Sequence, residues 1–97
     1  MISMNSVIGV TKDLVSADLG EEIAILHLGN GVYYGLDAVG ARIWDLIQEP
    51  KRVDELRDSI LKEYDVEPER CKSDLLNLLE ELTNQDLVEV KEVEQSS

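Results

Sequence analysis

A change of periodicity at Asp37 is the feature of this sequence that most constrains its fold. Before Asp37, residues 23–28 (IAILHL) and 32–36 (VYYGL) consist largely of β-forming residues. The Asn-Gly pair in residues 29–31 is typical of a tight hairpin turn. After Asp37, apolar residues recur at helical spacing across residues 39–47. The sequence therefore predicts a hairpin that leads directly into an amphipathic helix.

The rest of the chain extends this pattern to a complete α+β domain. Residues 15–17 predict a weak strand before the hairpin, so that three antiparallel strands form a meander. Two more helices are predicted, one over residues 53–64 and one from Pro68 to about Asn84, because apolar residues recur three and four positions apart. We predict a winged helix-turn-helix, with a three-stranded antiparallel sheet followed by three helices. Short β segments are predicted near both ends, in residues 7–10 and 87–90.

Three helix ends carry specific predictions. Asp37 stands at the N-cap of the first helix, where its carboxylate can accept from the free N–H groups of the first turn. Arg52 stands at the corresponding position of the second helix and is a poor cap, so this start is expected to fray at a cost of about 1 kcal/mol. Asn84 is expected to take the left-handed conformation that ends the third helix.

Length and charge limit the classes of function. A chain of 97 residues is expected to form one domain, with a core of about residues 7–90 and a frayed tail in residues 92–97. The formal net charge is -12, with 21 acidic against 9 basic residues. This charge opposes binding to nucleic acid and to anionic membranes. The sequence has neither the pattern of a signal peptide nor that of a spanning helix, so a cytoplasmic location is expected.

The reactive residues argue against catalysis. His27 and Cys71 are the single histidine and cysteine, and Cys71 falls on the apolar stripe of the third helix, where a small core residue is expected. One Cys and one His are too few for a zinc site, and the acidic residues lack the glycine turn of a calcium loop. We therefore expect a protein without catalytic residues, metal or cofactor.

The strand of residues 32–36 raises a different possibility. A strand at the edge of a sheet presents unpaired N–H and C=O groups, which can pair with an extended peptide. Tyr33 and Tyr34 point to opposite faces, so one of them can face a groove beside the third helix. The alternative is that both tyrosines only cover the sheet and that a loop blocks its edge. DNA binding is disfavoured, because acidic residues outnumber Arg70 and Lys72 on the third helix.

Four motifs follow one another along the chain. They are GVYYGLD in residues 31–37, IWDLI in residues 43–47, EYDV in residues 63–66 and DLLNLLEEL in residues 74–82. Their order and spacing resemble the PqqD-like family, whose members are called RiPP recognition elements. The resemblance covers about residues 7–90 and is strongest to the stand-alone B1 proteins of lasso-peptide biosynthesis.

This resemblance implies a non-catalytic adaptor that binds the leader segment of a ribosomally made precursor peptide as an added β-strand. It implies two partner enzymes, a B2-type cysteine leader peptidase and an asparagine-synthetase-like cyclase. The implied peptide-binding residues are Val32, Tyr33, Tyr34, Gly35 and Leu36 in the strand and Cys71, Asp74, Leu75 and Leu78 in the third helix.

Two alternatives stay open beside the lasso-type adaptor. The same fold could serve as a PqqD-type peptide chaperone for a radical-SAM maturase, or as a winged-helix DNA-binding regulator. The chain departs from the family at Arg52, where Ser or Thr is usual, and at Asp86, where Gly is usual. Both departures are expected to affect local structure rather than the groove.

Overall fold

The computed structural model describes residues 2–91, in which six strands and three helices form two small sheets and a helical layer. The elements are β1 (Val7–Val10), β2 (Leu14–Asp18), β3 (Ile23–His27), β4 (Tyr33–Leu36), α1 (Ala38–Leu46), β5 (Lys51–Arg52), α2 (Val53–Glu63), α3 (Pro68–Asn84) and β6 (Val88–Val90). The tail predicted for residues 92–97 lies outside the described residues.

The predicted meander is confirmed. Strands β2, β3 and β4 form one antiparallel sheet in that order, with Ile25 of β3 between Ser16 and Tyr34. The α+β class, the three-stranded antiparallel sheet and the three helices are likewise as predicted.

A second sheet was only partly foreseen. It has the order β5-β1-β6, so that β1 pairs with strands from much later in the chain. The two terminal β segments were predicted without their partners. Strand β5 was not predicted, because two residues directly before a helix carry no readable periodicity.

The start of α2 differs from the prediction of a frayed end. Arg52 makes no side-chain cap, yet its own N–H donates to the Glu55 carboxylate at 2.9 Å. The N–H of Val53 donates to the Ser6 carbonyl at 2.9 Å, and that of Asp54 to the Met4 carbonyl at 3.0 Å. The N-terminal segment thus supplies the acceptors that a Ser or Thr cap would otherwise provide.

Of the predictions for the start of α1 and the end of α3, the first is confirmed and the second is wrong. Asp37 caps α1 as predicted, since its Oδ1 accepts from the Gly40 N–H at 2.9 Å. Asn84 remains helical, so the prediction for that residue was wrong. The left-handed residue is Asp86, with φ at 64°, and the next N–H, of Leu87, donates back to the Leu82 carbonyl at 2.9 Å. This closing bond is characteristic of a Schellman ending.

The core lies between the helices and the inner faces of both sheets. Leu75, Leu79 and Leu82 form the fully buried face of α3, which contacts α2 and β6. Helix α1 follows directly from β4 and contacts α2, and residues of α1, α2 and α3 line one common pocket. Within residues 2–91, no helix has the length and apolar character needed to span a bilayer.

The cap of α1 is testable through stability. Asp37→Ala removes the acceptor for the Gly40 N–H and should lower the free energy of unfolding by about 1 kcal/mol. Chemical denaturation followed by circular dichroism measures the change. Asp37→Ser retains a capping oxygen and should recover most of the loss, whereas equal losses for both variants would assign Asp37 a role other than capping.

Candidate functional site

Strand β4 is an edge strand with a defined hydrogen-bonding pattern. On its inner side it pairs with β3, and among the described residues no strand pairs with its other side. The His27 N–H donates to the Val32 carbonyl at 2.8 Å. Because bonded pairs alternate in an antiparallel ladder, Tyr34 and Leu36 bond to β3, while the N–H and C=O groups of Tyr33 and Gly35 point to the open edge.

The edge is held in an extended conformation at both ends. At the start, the Gly31 N–H donates to the His27 carbonyl at 2.8 Å, and the Val32 N–H donates to Asn30 Oδ1 at 2.9 Å. Gly31 has φ at 77°, which glycine adopts freely and which the tight turn requires. At the other end, Asp37 caps α1. Little ordering entropy is left to lose when another chain pairs here.

The two tyrosines are distinguished by their environments. Tyr34 is half-buried on the inner face of the sheet, and its hydroxyl donates to the Glu81 carboxylate on α3. Tyr33 lies on the outer face and is 68% exposed. Tyr34 is therefore the tyrosine that faces the helix, a point that the alternation of the strand alone left open.

An apolar pocket opens where β4 ends. It has a volume of about 380 Å³ and lies between α1 and α3, with Ile60 of α2 also in its lining. We call it the α1–α3 pocket. The term groove is used for this pocket together with the open edge of β4 and the adjoining face of α3. The apolar lining of the pocket includes Val39, Ile43, Ile60, Val66, Leu75 and Leu78.

The structure brings the four predicted helix residues together. Cys71, Asp74, Leu75 and Leu78 all line the α1–α3 pocket. Cys71 and Leu75 are buried, Leu78 is partly buried, and the Asp74 side chain is 71% exposed at the rim. Their role in binding a peptide stays a prediction.

The predicted strand residues divide into two sets. Tyr33 and Gly35 offer backbone groups at the edge, and Tyr34 offers its ring to the groove. Val32 ends the hairpin turn. Leu36 is 4% exposed and belongs to the core, so its side chain is not at the surface.

Several residues of the groove were missed in the sequence. Val39 and Ile43 were assigned to a core stripe, and only the position of α3 shows that part of this stripe lines a pocket. Glu81 is absent from the predicted binding residues, although it contacts Tyr34. Its spacing of seven residues from Asp74 could have placed both on one helix face.

The rim of the groove is predominantly acidic. Asp37, Asp74 and Glu81 carry carboxylates there, and Arg70 lies 3.8 Å from Asp74, measured from Nε to Oδ2. These side chains are solvent-exposed, so their ion pairs contribute little to stability. Their net charge instead favours a ligand that is neutral or basic.

The single Cys and His do not form a reactive pair. His27 contacts Asp86 and the hairpin turn, whereas Cys71 lines the α1–α3 pocket. Burial raises the pKa of the Cys71 thiol and so keeps it protonated. Within residues 2–91, no group of three or more His, Cys, Asp or Glu side chains is arranged to hold a metal ion.

The family model described as Coenzyme PQQ synthesis protein D (PqqD) matches residues 22–88. The chain belongs to the PqqD family. The match includes β3, β4 and all three helices and ends at the first residue of β6, and it confirms the resemblance that the four motifs indicated.

A solved structure is similar to this PqqD-family chain over most of its length. It is described as TbiB1 in complex with the TbiA(beta) leader peptide and is 41% identical to this chain. The two superpose with a TM-score of 0.80 over 88% of this chain and 99% of TbiB1. No curated protein matches this chain.

The environment of Cys71 predicts low thiol reactivity. Because burial raises the thiol pKa, the thiolate fraction at pH 7–8 falls below that of a free cysteine. We expect Ellman's reagent to react with the native protein at least about tenfold more slowly than with the urea-unfolded chain. Equal rates in the two states would contradict the buried position.

Proposed function

We propose that this protein is a non-catalytic adaptor that binds the leader segment of a ribosomally made precursor peptide by β-strand addition. It delivers that precursor to a B2-type cysteine leader peptidase and an asparagine-synthetase-like cyclase in lasso-type maturation. The observation that carries this proposal is the open, ordered edge of β4 beside an apolar pocket. The complex of the similar TbiB1 with a leader peptide supports it.

Backbone pairing supplies the part of the affinity that is independent of sequence. The N–H and C=O groups of Tyr33 and Gly35 offer two donors and two acceptors to an extended peptide. Each such bond contributes roughly 0.5–1.5 kcal/mol net. Four bonds of this kind do not select one peptide from another, so selection must come from side chains.

Side-chain selection arises on the inner side of the added strand. Alternate leader side chains face the Tyr34 ring and the exposed part of Leu78, and a large apolar side chain can enter the α1–α3 pocket. The acidic rim disfavours an acidic leader. The proposed binding residues are Val32, Tyr33, Tyr34, Gly35, Leu36, Cys71, Asp74, Leu75 and Leu78, with Leu36 acting through the core.

The outer face of the meander provides a surface for delivery. Val15, Leu26 and Tyr33 lie side by side across the three strands and are 50%, 38% and 68% exposed. A row of exposed apolar side chains is typical of a protein-binding surface. A leader strand added to β4 would extend this row with its own outward side chains, so a partner enzyme could contact adaptor and leader together.

A PqqD-type chaperone for a radical-SAM maturase is the second candidate. The family description, which refers to coenzyme PQQ synthesis, favours it. The 41% identity to TbiB1 favours the lasso-type role. The neighbouring genes discriminate: a peptidase and cyclase support the first candidate, and a radical-SAM gene supports the second.

The two tyrosines form a matched pair of variants. Tyr34→Ala removes the ring that faces the groove and should weaken binding of a synthetic leader, taken from the neighbouring precursor gene, by ~1–2 kcal/mol. Tyr33→Ala alters the same strand on its outer face and should have a smaller effect. Isothermal titration calorimetry measures both, with unfolding curves to verify folding.

The same variants separate binding from delivery. If a B2-type peptidase contacts the outer face, Tyr33→Ala should slow adaptor-dependent cleavage of the precursor even at saturating leader. If wild type, Tyr33→Ala and Tyr34→Ala bind the synthetic leader with equal affinity, neither tyrosine side chain contributes to leader binding.

Strand addition also makes a prediction for individual amides. The amides of Tyr33 and Gly35 face the open edge and should exchange hydrogen quickly in the free protein and slowly with leader bound. Those of Tyr34 and Leu36, which bond to β3, should be protected in both states. Exchange measured by NMR tests this alternation, and uniform protection along β4 would argue for a different mode of binding.

A further inference from the structure

His27 connects the hairpin turn to the end of α3. It is 8% exposed, and its Nε2 lies 3.2 Å from Oδ2 of Asp86, two residues beyond α3. Its Nδ1 accepts from the N–H groups of Gly29 at 3.0 Å and Asn30 at 3.2 Å. Since Nδ1 accepts twice, the ring proton is on Nε2, which donates to Asp86.

The turn is shaped to admit this ring. A Cβ added to Gly29 would lie 2.9 Å from Cε1 of His27, closer than side chains normally approach. The absence of a side chain at Gly29 therefore lets the imidazole reach the turn amides. The same turn leads into Val32 and β4, so the ring contacts the segment from which the edge strand starts.

Asp86 is held in place from the other side. Its backbone is left-handed, with φ at 64°, a conformation that glycine adopts freely and other residues rarely. Its N–H donates to the Thr83 carbonyl at 3.0 Å, and its own carbonyl accepts from Thr11 Oγ1 at 2.9 Å. Glycine would satisfy this backbone with less strain, so the backbone alone gives no reason for an aspartate.

We propose that His27 and Asp86 form a clasp that positions the edge of β4 against α3 and thereby sets the geometry of the groove. This inference rests on the proposed leader-binding function. The clasp ties the end of β3 and the turn that precedes β4 to the C-terminal end of α3, and the Tyr34–Glu81 bond ties β4 itself to the same helix. Asp86 and His27 are positioning residues, since neither lines the α1–α3 pocket.

Three variants at one position separate positioning from stability. Asp86→Gly suits the left-handed backbone and removes the clasp, so the midpoint of denaturation should stay equal or rise. Its affinity for the synthetic leader should nevertheless fall about three- to tenfold, as expected for one hydrogen bond lost. Asp86→Asn keeps an acceptor and tolerates the same backbone, so it should bind nearly as wild type. Asp86→Ala should lose both stability and affinity.

A matched pair at His27 tests the two ring nitrogens. The Oδ1 of His27→Asn can take the place of Nδ1 at the turn amides but does not reach Asp86, so this variant should match Asp86→Gly in affinity. The double variant His27→Asn with Asp86→Gly should show no further loss, because both remove one interaction.

Measurements on the free protein keep the clasp distinct from the proposed function. Nitrogen-15 NMR of the imidazole should show Nε2 protonated and Nδ1 unprotonated, and Asp86→Gly should speed amide exchange at Gly31 and Tyr34. If wild type binds no leader, the proposed function fails, and these exchange rates alone decide whether the clasp holds β4. Unchanged exchange in Asp86→Gly would overturn the clasp, as would wild-type leader affinity in that variant.

Discussion

The buried apolar face of α3 is the contact on which the rest of the structure depends. Leu75, Leu79 and Leu82 are almost fully removed from water against α2 and the second sheet. Burying three leucines contributes several kcal/mol, far more than any single polar contact on this small domain. Because this face fixes the helix, the neighbouring face, which carries Leu78 and Glu81, is held beside the edge of β4. The groove is thus a consequence of core packing.

Given the position of α3, the two sides of β4 have different surroundings. Alternation sends Tyr34 toward α3 and Tyr33 to the outer surface, and the ladder sends the backbone groups of Tyr33 and Gly35 to the open edge. Under the proposed function, this one short strand would pair with the leader peptide, select its side chains and offer a surface to a partner enzyme. The thiol of Cys71 lies on α3 and not on this strand, and burial raises its pKa.

Local signals predicted the elements well, and long-range contacts explain the failures. The hairpin, the cap at Asp37 and the span of α3 follow from residues that are neighbours in sequence. The start of α2 does not, because its acceptors are the carbonyls of Met4 and Ser6, far away along the chain. The left-handed residue that follows α3 was misplaced by two positions, since Asn84 and Asp86 both tolerate such a backbone and only the contacts around Asp86 favour it there.

The sequence by itself determined that residues 33–36 belong to a strand with tyrosines on opposite faces, and that Cys71, Asp74, Leu75 and Leu78 share one region of a helix. These properties depend on the periods of strands and helices, which are local. Tertiary structure decided that this strand is an open edge, that Tyr34 rather than Tyr33 faces the helix, and that α1 closes an apolar pocket beside it. Those facts depend on which surfaces are buried against each other, and burial is settled only when distant segments pack into one core.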